Sequence, residues 1–239
     1  MRTNLLISLL FLVSIISAQN VQLHYDFGKP ENGDRRDFFV STFEFFRPDS
    51  LGQTFLFADF EFDAKEPSNG VSSGYFEISR EFYMPWFRNN TYLKEIGFHM
   101  EYNGGSAIAT IDSGKTIGFN LAKSWLTGFS YPIRIKNFTL NSQVLYKYSP
   151  GTEAHDMQLT LVWFQMLLKY KLTLCGFADF WTADNTTNRK DIVVYSEPQI
   201  WFNAYHGFSI GSEFKISYNF FPGSKRVEVF PTIGAKYSF

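Results

Sequence analysis

The feature that most constrains the fold of this chain is a regular alternation of apolar and polar side chains, which is clearest near its end. From Val227 to Phe239 every second residue is apolar or aromatic, and the residues between them are polar or small, apart from Phe230. The segment from Phe208 to Phe220 repeats the pattern, with Ser212 as the exception. Such alternation places successive side chains on opposite faces of a β-strand. Each of these strands therefore has one apolar and one polar face.

The same alternation predicts strands along the whole chain, near residues 21–27, 36–46, 53–63, 73–83, 92–102, 116–129, 135–148, 155–166, 168–181, 191–203, 206–219 and 227–239. An even number of antiparallel strands brings both ends of the chain to one side of a closed sheet. The predicted fold class is all-β, a transmembrane antiparallel up-and-down β-barrel with twelve strands. The strand register is least defined at 116–135. Pro198 and Pro231 argue against the predicted register elsewhere, because each removes a ladder hydrogen bond from a predicted strand.

The composition favours a barrel over a helical membrane protein. The chain contains 28 Phe, 13 Tyr and 5 Trp among 239 residues, yet no apolar run after residue 18 is long enough for a membrane-spanning helix. A net charge of −1 argues against a nucleic-acid partner. The alternative is a soluble, aromatic-rich β protein of the periplasm, whose apolar strand faces would turn inward.

The first residues predict export. Met1-Arg2 precedes an apolar run from Leu5 to Ile16 and the small pair Ser17-Ala18, which together are typical of a secretory signal peptide. The predicted organisation is a signal peptide at 1–18 followed by one barrel domain at 19–239. The expected location is the outer membrane of a Gram-negative bacterium, where outer-membrane lipid would contact the apolar faces.

A short repeat places an aspartate among aromatic residues twice. The sequence FADF occurs at 57–60 and again at 177–180. In the third predicted strand Asp59 shares the polar face with Glu61, and in the ninth Asp179 takes the polar face, so both aspartates should point into the lumen. Strands three and nine of twelve lie on opposite walls of a barrel. A repeat this short also arises by chance in a chain so rich in Phe, so it does not establish homologous half-barrels.

The predicted lumen is rich in charged and aromatic side chains. Strands two to five form an acidic wall, with Glu44, Asp59, Glu61, Glu77, Glu81, Glu95 and Glu101 together with His99. Strands seven to twelve mix both signs, with Lys147, Lys169, Lys171, Lys215, Lys236, Asp179, Glu197, Glu213 and Glu228. These groups either select solutes or pair with one another and hold a small barrel shut. The inward aromatic rings either stack on a ligand or pack within the barrel.

The residues predicted to contact a solute come from both groups: Phe55, Phe57, Asp59, Glu61, Glu77, Glu95, His99, Lys171, Phe177, Asp179, Trp181, Tyr195 and Glu197. No catalytic residues are predicted, because the four histidines fall on different strands or strand ends with no nucleophile motif beside them. No metal site is predicted either, since one cysteine and scattered histidines give no ligand spacing. No cofactor is implied.

Several segments resemble a known family of outer-membrane channels. GQTFLFADFEF, GYFEISREF, RNNTYLKEIGF, LCGFADFWT and the closing IGAKYSF are similar to the Tsx-type nucleoside-specific channel-forming proteins, and more closely to an uncharacterised outer-membrane group related to them. The resemblance implies a monomeric twelve-stranded barrel that passes nucleosides, with lumen side chains that stack on the base and hydrogen-bond the sugar. The positions that match are Phe57, Asp59, Glu77, Phe177 and Asp179. Phe239 resembles the terminal signature that the outer-membrane assembly machinery recognises.

The function expected from the sequence is an outer-membrane channel for the passive diffusion of small polar solutes, with nucleosides as the candidate class. The alternative from another class is a closed structural or adhesive barrel with no transport role, plugged by its own salt bridges. The two differ in whether purified protein conducts ions across a bilayer.

Overall fold

The computed structural model describes residues 19–29, 36–63, 70–87, 89–110, 115–135, 138–152, 154–184, 189–221 and 224–239. The signal peptide predicted at 1–18 lies outside the described residues. Within the described ranges, no helix is both long and apolar enough to cross a membrane. A 3-10 turn at Pro85–Phe87 precedes the fifth strand.

The chain forms one antiparallel sheet of thirteen strands. They are β1 (Gln19–Asp26), β2 (Phe38–Asp49), β3 (Gly52–Asp63), β4 (Gly70–Tyr83), β5 (Gly97–Thr110), β6 (Thr116–Ile135), β7 (Phe138–Ser149), β8 (Ala154–Leu167), β9 (Leu172–Asp184), β10 (Lys190–Ser196), β11 (Gln199–Tyr205), β12 (Phe208–Tyr218) and β13 (Val227–Ser238). β10 and β11 lie end to end, and both pair with β9 and β12. Pairing of β1 with β13 closes the sheet. The predicted fold class, a closed twelve-stranded barrel, is confirmed.

The connections differ between the two ends of the barrel. At the end that holds Gln19 and Ser238, strands are joined by residues 50–51, 136–137, 168–171 and 206–207, and by one longer segment, 84–96. At the other end the connections are residues 27–37, 64–69, 111–115, 150–153, 185–189 and 219–226. Apart from residues 84–96, the connections are therefore shorter at the first end than at the second, as is common in outer-membrane barrels.

The two faces of the sheet have opposite character. Leu23 and Ile233 point outward and are 50% and 57% exposed, whereas the inward-facing Gln22 and Thr232 are each only 1% exposed. A soluble protein buries its apolar side chains and exposes its polar ones. Here the order is reversed, so the outer surface requires lipid around it. This is opposite to the soluble alternative, in which the apolar faces would meet inside.

The observed strands differ from the predicted ones at a few places. The fifth strand was predicted at 92–102 but begins at Gly97 and continues through a glycine pair to Thr110. The sixth continues beyond residue 129 to Ile135. The tenth is interrupted between Ser196 and Gln199, where Pro198 breaks the ladder.

Two residues that disturbed the alternation at the end of the chain have physical explanations. Phe230 faces the lumen, where it is almost fully buried against Phe221 and the guanidinium of Arg36. Pro231 lies inside β13, but β13 pairs with β1 only from Thr232 to Ser238. The proline therefore lies just outside the ladder between these two strands. Its missing N–H is therefore tolerated.

Candidate binding site in the barrel lumen

The two aspartates of the repeat have the same surroundings on opposite walls. Asp59 lies on β3 and accepts a hydrogen bond of 2.5 Å from the hydroxyl of Thr42 on the preceding strand. Asp179 lies on β9 and accepts one of 2.6 Å from the hydroxyl of Thr160, again on the preceding strand. β3 and β9 are six strand positions apart in a ring of twelve. The two Thr–Asp pairs therefore face each other across the lumen.

The strand that follows each aspartate carries a tyrosine, and a glutamate lies two residues after it, on β4 as Glu77 and in the link between β10 and β11 as Glu197. Tyr75 is directly opposite Asp59, and Tyr195 is directly opposite Asp179. The hydroxyl of Tyr75 donates to Glu77 Oε1 at 2.8 Å, and that of Tyr195 donates to Glu197 Oε1 at 2.6 Å. The correspondence between the two walls thus extends over three strands on each side.

An aromatic contact accompanies each tyrosine. The rings of Phe57 and Tyr75 have centroids 5.9 Å apart and are tilted by 53°. Those of Phe177 and Tyr195 are 6.1 Å apart and tilted by 45°. Tilted pairs at this separation are favourable between aromatic rings, so each ring pair fixes the position of the tyrosine beside its carboxylates.

The next strand on each side completes the correspondence. β5 carries Glu101 and Asn103, and β12 carries Glu213 and Lys215. Asn103 is paired with Glu77 and donates to its Oε1 at 3.3 Å. We call two sets of residues the first and second half-sites: Thr42, Phe57, Asp59, Tyr75, Glu77, Glu101 and Asn103 in the first, and Thr160, Phe177, Asp179, Tyr195, Glu197, Glu213 and Lys215 in the second. They differ in residue type at one position, Asn103 against Lys215.

Lys215 links the second half-site to the opposite wall. Its Nζ lies 3.4 Å from Glu197 Oε1, 3.8 Å from Glu213 Oε1 and 3.9 Å from Asp59 Oδ2. Only 6% of the residue is exposed. A buried ammonium is tolerated only when carboxylates or other acceptors surround it. Because Asp59 belongs to the first half-site, this ion network crosses the lumen.

Other inward cations are held by aromatic rings. Lys147 Nζ lies 4.3 Å from the centroid of Trp181 and donates to Gln158 at 3.1 Å. Lys236 Nζ lies 4.3 Å from the centroid of Trp201. Cation–π contacts of this length are attractive, and more so away from water. These pairs fill part of the lumen and narrow any path through it.

Water still reaches part of the polar interior. The side chain of Asp59 is 17% exposed and that of Glu61 is 32% exposed. Glu61 accepts a hydrogen bond from Ser73 and lies 3.6 Å from Arg36, toward the end with the longer connections. Both carboxylates of β3 are therefore partly accessible to water.

Most of the candidate residues face the lumen in the structure: Phe55, Phe57, Asp59, Glu61, Glu77, His99, Phe177, Asp179, Trp181, Tyr195 and Glu197. His99 Nε2 lies 3.0 Å from Glu101 Oε2. Their role in binding a solute stays a prediction.

Two candidate residues do not lie in the lumen, and their predicted placement was wrong. Glu95 precedes β5 in the 84–96 segment and forms an ion pair of 2.5 Å with Arg134. A hydrogen bond from this guanidinium lowers the pKa of the exposed Glu95 carboxyl. Lys171 is exposed in the turn at 168–171, where three residues have positive φ. In both cases the strand begins later than its hydrophobic pattern suggested.

The sequence-based choice missed the polar residues that complete the half-sites. Thr42, Thr160 and Asn103 carry no charge, so a search for inward charges passes over them. A usable signal was present, because a Tyr-x-Glu sequence follows FADF at the same spacing in both copies, at Tyr75 and at Tyr195. Within the part of the chain that the structure describes, no group of three or more His, Cys, Asp and Glu residues could hold a metal ion.

Comparison with known families identifies the group to which this barrel belongs. A family model described as "Domain of unknown function (DUF5020)" matches residues 18–239. The chain belongs to the DUF5020 family. A search of curated protein sequences gave no match for this DUF5020 chain.

Solved structures share the fold of the DUF5020 barrel at very low sequence identity. The NanC porin has a TM-score of 0.52 and 8% identity over 92% of this chain and 100% of its own. The KdgM porin has a TM-score of 0.46 and 7% identity over 93% and 99%. The outer membrane protein Omp33 of Acinetobacter baumannii has a TM-score of 0.44 and 13% identity over 94% and 99%. The likeness to NanC shows a porin-type barrel fold, and the nucleoside specificity implied by sequence resemblance stays a prediction.

Proposed function

We propose that this DUF5020 protein is an outer-membrane channel through which small polar solutes diffuse passively past the two half-sites. The observation that carries the proposal is the pair of matching carboxylate sets on opposite walls of a polar interior. Charged rings of this kind are the usual selectivity elements of pores. The apolar outer face and the asymmetric ends support insertion in the outer membrane.

The energetic cost of the buried charges favours a functional role. Taking an ion out of water costs several kcal/mol even when it is paired, and apolar residues of similar size are often at least as stable in the same place. A barrel that served only as a scaffold would fold as well with fewer buried carboxylates. Ionisable groups at membrane depth commonly mark a solute or ion pathway.

Electrical recording tests the proposal directly. Purified protein in a planar bilayer should conduct, and the acidic lumen should make the current selective for cations. Asp59→Asn and Asp179→Asn should each lower the cation-to-anion permeability ratio, and the double variant should lower it further. Glu95→Gln serves as the matched control, because this carboxylate lies outside the strands, where it pairs with Arg134 at the end of β6. If both aspartate variants keep the wild-type ratio in a conducting barrel, the half-sites do not control passage.

A panel of solutes would then define the substrate class. Liposome swelling with nucleosides, sugars and amino acids measures which solutes enter. Nucleosides are the class that the resemblance indicates, and the Phe57–Tyr75 and Phe177–Tyr195 rings offer apolar surfaces on which a base can stack. Faster swelling in sugars than in nucleosides would rule that class out.

A second candidate function is a closed structural barrel, and the Lys215 network favours it. Three carboxylates from two walls hold the buried Lys215 ammonium, which can plug the lumen. In that case the wild-type protein would be silent in bilayers, while Lys215→Ala would conduct. Conductance of the wild type would refute the closed barrel.

The ring of the last residue is exposed on the outer face. The amide of Phe239 donates to the carbonyl of Gln19 at 3.0 Å, while its ring stacks on Tyr237 on the outer face and is 54% exposed. This arrangement leaves the terminal ring accessible, which supports recognition by the outer-membrane assembly machinery.

A further inference from the structure

The single difference between the half-sites changes the charge at equivalent places in the lumen. In the second half-site the ammonium of Lys215 lies among Glu197, Glu213 and Asp59. The equivalent carboxylates around Asn103 are Glu77, Glu101 and Asp179. Asparagine is neutral. The carboxylates Glu77, Glu101 and Asp179 therefore have an amide at the position where Glu197, Glu213 and Asp59 have the ammonium of Lys215.

Among the described residues, no Lys or Arg side chain forms an ion pair with these carboxylates, although His99 lies 3.0 Å from Glu101 and Lys147 attracts Asp179, Glu77 and Glu101 from a greater distance. No Lys or Arg nitrogen lies within 4 Å of Glu77, Glu101 or Asp179 in these parts of the chain, and the cation nearest to this group, Lys147, is held by Trp181 and Gln158. The carboxylates Glu77, Glu101 and Asp179 therefore lack the direct ammonium contact that Lys215 gives to Glu197, Glu213 and Asp59.

Asn103 adds an unused hydrogen-bond acceptor at the same place. The residue is 7% exposed, and its amide nitrogen donates to Glu77, which orients the side chain toward the carboxylates. Its Oδ1 is buried and has no hydrogen-bond partner among the described residues. Buried polar atoms are nearly always paired, so an unpaired acceptor beside two carboxylates indicates that a donor is missing.

We propose that the lumen binds the primary ammonium group of a cationic solute between Glu77 and the Oδ1 of Asn103 in the first half-site and Asp179 in the second. The ammonium would occupy the position equivalent to that of Lys215 Nζ in the second half-site. A primary ammonium has three N–H donors, which matches two carboxylates and one amide oxygen. A metal ion fits less well, because no group of three or more acidic or histidine ligands in the described residues could hold one.

The inference deepens the proposed channel function, on which it rests, by naming the solute class. It predicts that the channel prefers solutes that carry a primary amine over neutral solutes of the same size. Because charge-assisted hydrogen bonds are the stronger kind, loss of one carboxylate should weaken binding by roughly tenfold or more.

Butylammonium tests the site, with butanol as its neutral isostere and tetramethylammonium as a cation without N–H donors. Two readouts are needed, the concentration-dependent block of current in planar bilayers and the rise in Tm of the detergent-solubilised protein. Butylammonium should block the current and raise Tm, whereas both controls should do so at least about tenfold more weakly. Equal effects of tetramethylammonium and butylammonium would overturn the proposal, because they would indicate general attraction of cations.

Variants locate the effect in the first half-site. Asn103→Lys places an ammonium in the site and should abolish the butylammonium block and the Tm shift. Glu77→Gln should weaken both about tenfold, and it covers the case in which Asn103→Lys does not fold. Glu95→Gln should behave as wild type. Unchanged block and Tm shift in a folded Glu77→Gln would place the ligand elsewhere and overturn the proposal.

The two readouts separate this inference from the channel function. If the barrel does not conduct but its Tm rises with butylammonium, the ammonium site is supported and the channel function is refuted. If the barrel conducts but neither its current nor its Tm responds to butylammonium, the channel function is supported and the ammonium site is refuted.

Discussion

Replacing Lys215 by methionine should strongly destabilise the barrel. Methionine keeps most of the apolar stem of the lysine, so little cavity forms. The substitution removes the ammonium from three carboxylates that lie 3.4, 3.8 and 3.9 Å away. What remains is a group of buried like charges on β3, β12 and the link between β10 and β11.

The magnitude follows from the geometry. At an effective dielectric constant of about 20, unit charges at these distances attract by about 4–5 kcal/mol per pair. Desolvation of the ions and repulsion among the carboxylates offset much of that sum. Removal of one partner from a buried ion pair typically costs about 3–5 kcal/mol, and we expect Lys215→Met to fall in that range.

Urea unfolding of the protein from lipid vesicles measures this free energy. Lys169→Met is the matched control, because Lys169 is exposed in the turn at 168–171 and its loss should change stability by no more than about 0.5 kcal/mol. Acidification protonates the carboxylates that have lost their ammonium partner. The loss of unfolding free energy caused by Lys215→Met should therefore become smaller as the pH falls. A Lys215→Met variant within about 1 kcal/mol of wild type at neutral pH would refute the assigned role of the network.

The equivalence of the half-sites extends this prediction. In a variant that combines Asn103→Lys with Lys215→Asn, the ammonium moves to the first half-site, where Glu77, Glu101 and Asp179 take the place of Glu197, Glu213 and Asp59. The double variant should therefore be more stable than Lys215→Asn alone. Additive destabilisation in a double-mutant cycle would show that the two positions are not equivalent.

Three further predictions concern the outside of the barrel. Ile233→Arg should lower the free energy of unfolding from vesicles by about 2–4 kcal/mol, because Ile233 faces lipid and is 57% exposed; no loss would place it away from lipid. Deletion of Phe239 should reduce the amount of barrel assembled in cells, measured in membrane fractions, while leaving refolding into detergent intact; equal assembly would exclude a role for the terminal ring. Because Arg134 lowers the pKa of Glu95, their ion pair stabilises the fold fully at pH values above the ordinary glutamate pKa. The small difference in the free energy of unfolding between wild type and Glu95→Gln should disappear as the pH falls through the lowered pKa. A difference that grew in acid would contradict the pairing.

Much of the fold could be predicted from sequence because alternation reports directly on the two faces of a strand. It identified nearly every strand and the inward direction of Asp59 and Asp179. It failed where glycine had a packing role. The strand predicted at 92–102 stopped before Gly104-Gly105, but β5 continues through this pair, and a Cβ on Gly105 would lie 2.3 Å from the carbonyl oxygen of Gly74. Close approach of the neighbouring strand, not a turn, requires glycine there.

The break in the tenth strand shows the same limit. Gly176 has a φ of 143°, and a Cβ there would lie 2.4 Å from the carbonyl oxygen of Glu197. The amide of Glu197 donates to the carbonyl of Phe177 at 3.1 Å. Pro198 indicated an irregularity, but only the pairing across two strands shows that the irregularity holds Glu197 inside the lumen.

The half-sites could not be assembled from sequence because their decisive contacts join strands that are not neighbours. Alternation predicts that Asp59 and Lys215 both point inward, but it does not predict that they meet, since β3 and β12 are separated by three other strands. The register of each strand with its two neighbours, and the closure of β1 on β13, determine which inward side chains share a level. That information is non-local.

Repetition of the carboxylate set on opposite walls has an electrostatic consequence of its own. Equal charges that face each other across a pore produce little net field between the walls, so a symmetrical lumen would attract cations without orienting them. The exchange of Asn103 for Lys215 at equivalent positions removes that symmetry and leaves one wall more negative than the other. Because Lys215 is attached to β12, its ammonium stays beside its carboxylates permanently, whereas a solute ammonium at Glu77 and Asp179 is free to leave. Conduction requires binding that is strong enough for entry and weak enough for release, and only the first half-site can satisfy both conditions.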